Sequence, residues 1–244
     1  MVPDPSELIK QIELKIPLIA VYDSDDVEGF RPLVLPDPGR HTCIFFFYEN
    51  WLRGETLLVT KDNFGCAGAG NYLCDVQTRT REDLVKFLTD GEGLKANREI
   101  MNKWVETRKP YNQENPYLLI GPLRKEKYDL VKTITFFVNP DQLAALIIGA
   151  NYRSVPGDIP AVIAPFGSGC MELLPLFEDL AAPQAVIGAT DIAMRPYIPR
   201  DVLAFTVTRP MFEQLSGLGS GSFLYKPFLK NLKKARKDGS AGNL

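Results

Sequence analysis

The chain is poor in histidine, cysteine, tryptophan and net charge, and each scarcity narrows what it can be. His41 is the sole histidine among 244 residues, so any histidine-dependent mechanism rests on that one side chain. Four cysteines scattered between positions 43 and 170 are too few for the disulfide framework of a small secreted protein. In a reducing compartment they read as free, catalytic or metal-bound thiols. Charge of one sign is missing as well: 28 Lys and Arg against 30 Asp and Glu leave a formal net charge of −2, which gives no general field for a phosphate backbone. Nucleic acid is not an expected partner. No apolar run approaches the roughly 18 residues of a membrane span, and Met1-Val2-Pro3-Asp4-Pro5 lacks the basic and apolar regions of a secretion signal. The expectation is a cytoplasmic protein without membrane contact.

What is present fits a globular chain, with 45% hydrophobic and 24% charged residues. Apolar periodicity predicts a helix over 5–15, a strand over 18–22 and a strand over 56–60, with helices over about 80–88 and 97–107. Residues 23–40 carry several acids and prolines without a sustained period and read as an exposed connection. In the second half, Thr133-Ile134-Thr135-Phe136-Phe137-Val138-Asn139-Pro140 and Leu203-Ala204-Phe205-Thr206-Val207-Thr208-Arg209-Pro210 each run from a strand into a helix whose first turn suits proline. Residues 160–164 have a similar echo in 184–188. The expected fold is α/β or α+β, a mixed sheet flanked by helices, with related strand–loop–helix units. Residues 1–237 read as one globular domain, with a subdivision at 116/117 left open, and 238–244 as a flexible tail.

Two small-residue segments stand out. Phe166-Gly167-Ser168-Gly169-Cys170 follows an apolar strand and opens a helical pattern, which places a thiol where free N–H groups favour a thiolate or an anion. Phe64-Gly65-Cys66-Ala67-Gly68-Ala69-Gly70 reads as a glycine-rich loop whose Gly65, Gly68 and Gly70 allow close approach of a ligand. It has neither a dinucleotide fingerprint nor a P-loop. Gly65, Gly68, Gly70, Gly167, Ser168 and Gly169 are thus the candidate cofactor-binding residues. His41 and Cys43, two apart, share a face in extended chain, so a base beside a thiol is available. Asp191 follows an apolar strand with Arg195 four residues on, a pair suited to orienting a polar ligand or forming a structural ion pair. Cys170, His41 and Asp191 are the catalytic candidates. Residues 223–237 set Phe223, Leu224, Phe228 and Leu232 against six cations and read as a final helix packed by its apolar stripe.

The succession Thr42-Cys43, Leu52-Arg53-Gly54-Glu55, Thr60-Lys61-Asp62-Asn63-Phe64-Gly65-Cys66-Ala67-Gly68, Ile120-Gly121-Pro122-Leu123, Val138-Asn139-Pro140-Asp141-Gln142, Gly167-Ser168-Gly169-Cys170 and Arg195-Pro196-Tyr197-Ile198-Pro199 resembles the ArCR family of archaea and anaerobic bacteria, domain of unknown function 169. The resemblance implies that Cys43, Cys66 and Cys170 stand at family cysteine positions, and it implies no activity. Many members of the family it resembles carry a further glycine–cysteine pair after the strand that here is Ala185-Val186-Ile187-Gly188, where this chain has Ala189-Thr190-Asp191.

Three readings of function follow. The first is a redox protein of anaerobic metabolism that binds an iron–sulfur cluster or another metal through Cys43, Cys66 and Cys170, with Cys74 as a further candidate ligand. The second is a non-catalytic module that grips a small anionic molecule. The third is a cysteine-nucleophile enzyme with His41 as base. The expected partners are a small molecule or a metal, and a homo-oligomer is left open.

Overall fold

The computed structural model describes residues 2–37, 39–107, 109–164, 169–177 and 179–238. Its strands are β1 (Ile19–Ser24), β2 (Leu33–Val34), β3 (Thr56–Val59), β4 (Tyr117–Pro122), β5 (Val131–Val138), β6 (Ala161–Ile163), β7 (Ala185–Gly188) and β8 (Leu203–Thr208). The helices are α1 (Ser6–Gln11), α2 (Tyr48–Leu52), α3 (Ala67–Leu73), α4 (Arg81–Lys86), α5 (Arg98–Thr107), α6 (Pro140–Ala150), α7 (Gly169–Leu173), α8 (Arg209–Ser216) and α9 (Pro227–Lys237). Short 3-10 turns at Ile44–Phe47 and Arg195–Tyr197 matter for the site. The strands form one mixed sheet in the order β2-β3-β4-β1-β5-β8-β7-β6, an α/β-type fold.

Every residue of β1 is buried because both faces of the sheet are covered. Side chains alternate along the strand, so Ala20 and Tyr22 face one core while Ile19 and Val21 face the other. The first core packs Ile134 and Phe136 of β5 under α1, α6 and α8, through Leu8, Leu146 and Phe212. The second packs Phe137, Leu57 and Ile120 under Phe45, Trp51, Cys66 and Cys170. All four cysteines belong to this second layer.

The strand order contains a repetition. Adding four to each strand number turns β2-β3-β4-β1 into β6-β7-β8-β5, which is the other half of the sheet in reverse. The pair senses agree as well. β2–β3 and β6–β7 are parallel, β3–β4 and β7–β8 antiparallel, and β4–β1 and β8–β5 antiparallel. At the centre β1 and β5 run antiparallel, as a local two-fold axis normal to the sheet requires. The sequence echoes fall elsewhere. The segments 133–140 and 203–210 are β5 and β8 with their helices, hydrogen-bonded neighbours with Thr135 opposite Thr206 and Pro in the first turn of both α6 and α8. Likewise 160–164 and 184–188 contain the parallel neighbours β6 and β7.

Several local expectations are corrected. The first helix stops at Gln11 rather than 15, because Glu13 turns left-handed (φ 54°) and the Leu14 and Glu13 N–H groups close back onto the carbonyls of Ile9 and Lys10. The 23–40 segment is not wholly an exposed connection. Asp23 is buried in β1, where its carboxylate accepts the Tyr111 hydroxyl and the Glu114 and Asn115 N–H groups, and β2 lies within the same stretch. Gly68 and Gly70 do not sit in a loop but inside α3.

Candidate functional site

The site forms where four connections of the two half-sheets meet. Between β2 and β3 the chain presents His41, Thr42 and Cys43; between β3 and β4 it presents Gly65 and Cys66. Thr42 N–H donates to Gly65 O at 2.9 Å, which fastens one cysteine-bearing segment to the other. Gly65 has a φ of +76°, and a Cβ there would lie 2.6 Å from Thr42 O, so both conformation and contact demand glycine. Gly70 keeps its place for another reason: the Phe64 ring occupies the space of a side chain.

Cys66 is extended and caps α3, with its Sγ accepting the Ala69 N–H at 3.4 Å. The Cys170 thiol, in the first turn of α7, also hydrogen-bonds to it. That bond, helped by the Ala69 and Gly68 N–H groups and by the charge of His41, outweighs burial and brings Cys66 down to about 6. Cys170 itself is held well above an ordinary thiol. Its bond to Cys66 and its burial both raise it, and Cys43 and Asp191 add to the effect. Burial pushes Cys43 up to about 12, with Cys66 and Asp191 raising it further. Cys74, at the far end of α3, is also pushed up to about 12 by burial and forms part of the core.

Cys43, Cys66 and Cys170 line one half-enclosed cavity of about 210 Å3 together with His41, Gly68 and Asp191. Gly169 lines it as well, while Gly167 and Ser168 lie outside the described residues. His41 and Cys43 also line, together, a second cavity of about 190 Å3. It is Cys66, however, that feels the imidazole. Asp191 serves the backbone: its carboxylate accepts the Gly169 N–H at 3.2 Å and the Ala193 N–H at 2.9 Å. Arg195 does not pair with it. The guanidinium donates instead to the carbonyls of Ala189, Pro199, Arg200 and Val202.

Three residues escaped the sequence reading. Tyr72, on α3, lines the cavity at 3% exposure, and its buried hydroxyl has no hydrogen-bond partner among the described residues. Burial, with Cys170 nearby, pushes it up to about 12. Arg79 lies at the mouth, stacked on Phe87 at 4.3 Å. Glu172, two residues after Cys170, is 1% exposed; one carboxylate oxygen accepts the Ala189 N–H at 2.6 Å and the other has no partner among the described residues. Burial pushes its carboxyl up to about 7. The one signal for it in the chain is an acid among apolar neighbours, Met171-Glu172-Leu173-Leu174.

Among the described residues, no three His, Cys, Asp or Glu side chains gather tightly enough to hold a single metal ion. Nor is any helix among the described residues long and apolar enough to cross a membrane.

Fold and site together define a mixed α/β protein with a thiol-lined cavity between two topologically equivalent half-sheets. Residues 7–217 match the family model described as Uncharacterised ArCR, domain of unknown function 169, and the chain belongs to that family. No curated protein and no solved structure matches it.

Proposed function

We propose that the protein is a redox protein that binds an iron–sulfur cluster in the 210 Å3 cavity through Cys43, Cys66 and Cys170. The observation that carries this reading is the meeting of three cysteines, from three separate connections, in one half-enclosed space. A single ion needs its donors about 2.3 Å from one point, whereas a cluster takes its thiolates on a body several ångströms wide. A cavity lined by three cysteines from separate connections suits the second arrangement. Cys66 is already favoured as thiolate, and Cys43 and Cys170 would release protons on binding. Tyr72 and the Cys66-capped start of α3 would supply donors to the cluster's sulfurs, and Arg79 at the mouth would meet a small-molecule partner.

The test is anaerobic reconstitution followed by an ultraviolet–visible spectrum and iron and sulfide analysis, repeated on Cys66→Ser and Cys170→Ser. Broad absorption with iron and sulfide, lost in both variants, supports the cluster. A colourless, metal-free wild-type protein from anaerobic handling removes it. A second reading then takes over, favoured by the hydrogen bond from Cys170 to Cys66: a cysteine nucleophile, Cys66, lowered by Cys170 and by His41. Rapid and selective alkylation of Cys66 in the metal-free protein would mark it.

A further inference from the structure

The repetition in the sheet assigns a counterpart to each site residue. Cys43 lies between β2 and β3, and Cys170 lies between the equivalent strands β6 and β7. Cys66 lies between β3 and β4, and the equivalent connection, between β7 and β8, carries Asp191. Local geometry follows the same correspondence. Cys66 starts α3 with its side chain accepting an N–H three residues on. Asp191 starts a helical turn, its side chain accepting the Ala193 N–H and its carbonyl the Met194 and Arg195 N–H groups. Cys43 opens the Ile44–Phe47 turn as Cys170 sits in the opening of α7. The packing obeys the two-fold too: α3 rests on α7, and the Ile44–Phe47 turn rests on the Arg195–Tyr197 turn, where the Phe46 and Tyr197 rings meet edge to face at 5.9 Å.

We propose that Asp191 is the fourth ligand of the site, an oxygen donor in the place topologically equivalent to Cys66. This rests on the cluster reading above. A four-iron cluster takes one protein ligand per iron, and the cavity offers three sulfurs and this carboxylate as two related pairs, Cys43 with Cys170 and Cys66 with Asp191. Each Asp191 oxygen accepts one backbone N–H and keeps a lone pair. Carboxylate is a harder ligand than thiolate, so the iron it holds is the one most readily lost and the one most open to an incoming molecule. The Tyr72 hydroxyl, buried in the same cavity and without a partner among the described residues, independently marks a space built for a bound group with acceptor atoms.

The experiment compares the reconstituted full chain with Asp191→Cys, Asp191→Asn and Asp191→Ala, reading iron and sulfide per chain and the electron paramagnetic resonance spectrum before and after brief ferricyanide oxidation. The wild type should lose about one iron in four and acquire the signal of a three-iron cluster. In Asp191→Cys that loss should slow by roughly tenfold or more, and in Asp191→Ala it should quicken. Asp191→Asn retains an oxygen for the Gly169 or Ala193 N–H, so it separates ligand loss from loss of the turn; circular dichroism checks the fold of each variant. Equal iron content and equal iron loss across all four proteins would overturn the assignment while leaving the cluster in place. Absence of iron and sulfide from the wild type would overturn both.

Discussion

The two half-sheets share strand order and pairing sense, yet they finish their site connections differently. The half holding β1–β4 ends both with cysteine, Cys43 and Cys66; the half holding β5–β8 ends one with Cys170 and the other with Asp191. The strand ends behind these residues differ as well. Where β3 ends in Val59, a side chain within the second core, β7 ends in Gly188, and the Glu172 carboxylate fills the space that a Cβ would take, at 2.3 Å. One half is packed by hydrocarbon at this point and the other by a buried carboxyl that ties down the Ala189 N–H. A shared topology thus supports an all-thiol arm and a mixed thiol–carboxylate arm, and the asymmetry between them is the feature most open to experiment.

The largest effect should come from splitting the pair that joins the arms. In the metal-free protein, Cys170→Ser replaces a thiol donor to Cys66 by a hydroxyl whose oxygen sits on a shorter bond and reaches less far. The Cys66 alkylation midpoint should rise from about 6 toward the ordinary cysteine range, and alkylation near pH 7 should slow correspondingly. Cys43→Ser should leave the midpoint where it is, because Cys43 makes no hydrogen bond to Cys66. A pH profile of iodoacetamide labelling read by mass spectrometry decides it; an unmoved midpoint in Cys170→Ser would assign the lowering to the Ala69 N–H and His41 instead.

The next effect belongs to Gly188. An alanine there meets the Glu172 carboxylate at 2.3 Å and must displace it, so Gly188→Ala should cost about 1–3 kcal/mol in denaturant unfolding. Paired with Glu172→Ala, which clears the space, the two losses should add to less than their sum, since they share one contact. Strict additivity would show that Glu172 swings away freely and that the arm is not organised around it.

Much of the sheet was legible in the chain because strands here are apolar runs. Residues 18–22, 56–60, 133–138 and 203–208 all overlap strands and end within two residues of their observed bounds. The repetition was not legible, and the reason is physical. What the halves share is hydrogen-bond pairing, which is made by backbone and leaves no mark on side chains, as Thr56-Leu57-Leu58-Val59 and Ala185-Val186-Ile187-Gly188 illustrate. The similarity that is visible links neighbours such as β5 and β8, which share an environment rather than a place in the two-fold. The site was half legible. Cysteines and Asp191 advertise themselves by chemistry and by following strands. Tyr72 and Glu172 look like ordinary members of amphipathic or apolar segments until packing leaves their oxygens unpartnered.

A gentler probe of the second arm is its pH response in the metal-free protein. The Glu172 carboxyl is raised in the fold to about 7 from an ordinary 4.5, so the folded state holds this proton more tightly than the unfolded chain does. Its contribution is fully present below pH 4.5, falls as pH rises, and is lost once pH passes about 7. The difference corresponds to about 3 kcal/mol at most. Glu172→Gln, neutral at every pH and able to keep the Ala189 N–H acceptor, should flatten this part of the stability curve and raise stability above pH 7. Unfolding free energies at pH 5 and pH 8 that fall equally in wild type and variant would show that Glu172 is ionised in the fold without cost.

The smallest effect is expected at Tyr72, and its smallness is informative. The hydroxyl is buried on the cavity wall without a partner among the described residues, so Tyr72→Phe removes a desolvated polar group and forfeits no hydrogen bond to them. In the empty protein the change should lie within about 1 kcal/mol of neutral and lean toward stabilisation, because the deleted oxygen costs desolvation and returns nothing. Once the cavity is filled the sign should reverse. A bound cluster or small molecule that accepts the Tyr72 O–H gains a donor that the phenylalanine lacks, so the variant should hold iron and sulfide less firmly than wild type even though its metal-free form is no less stable. A residue kept only for packing would not separate these two measurements. If Tyr72→Phe loses stability in the metal-free state by more than a buried hydrogen bond is worth, the hydroxyl has a partner within the protein, and the wall of the cavity is finished without any ligand.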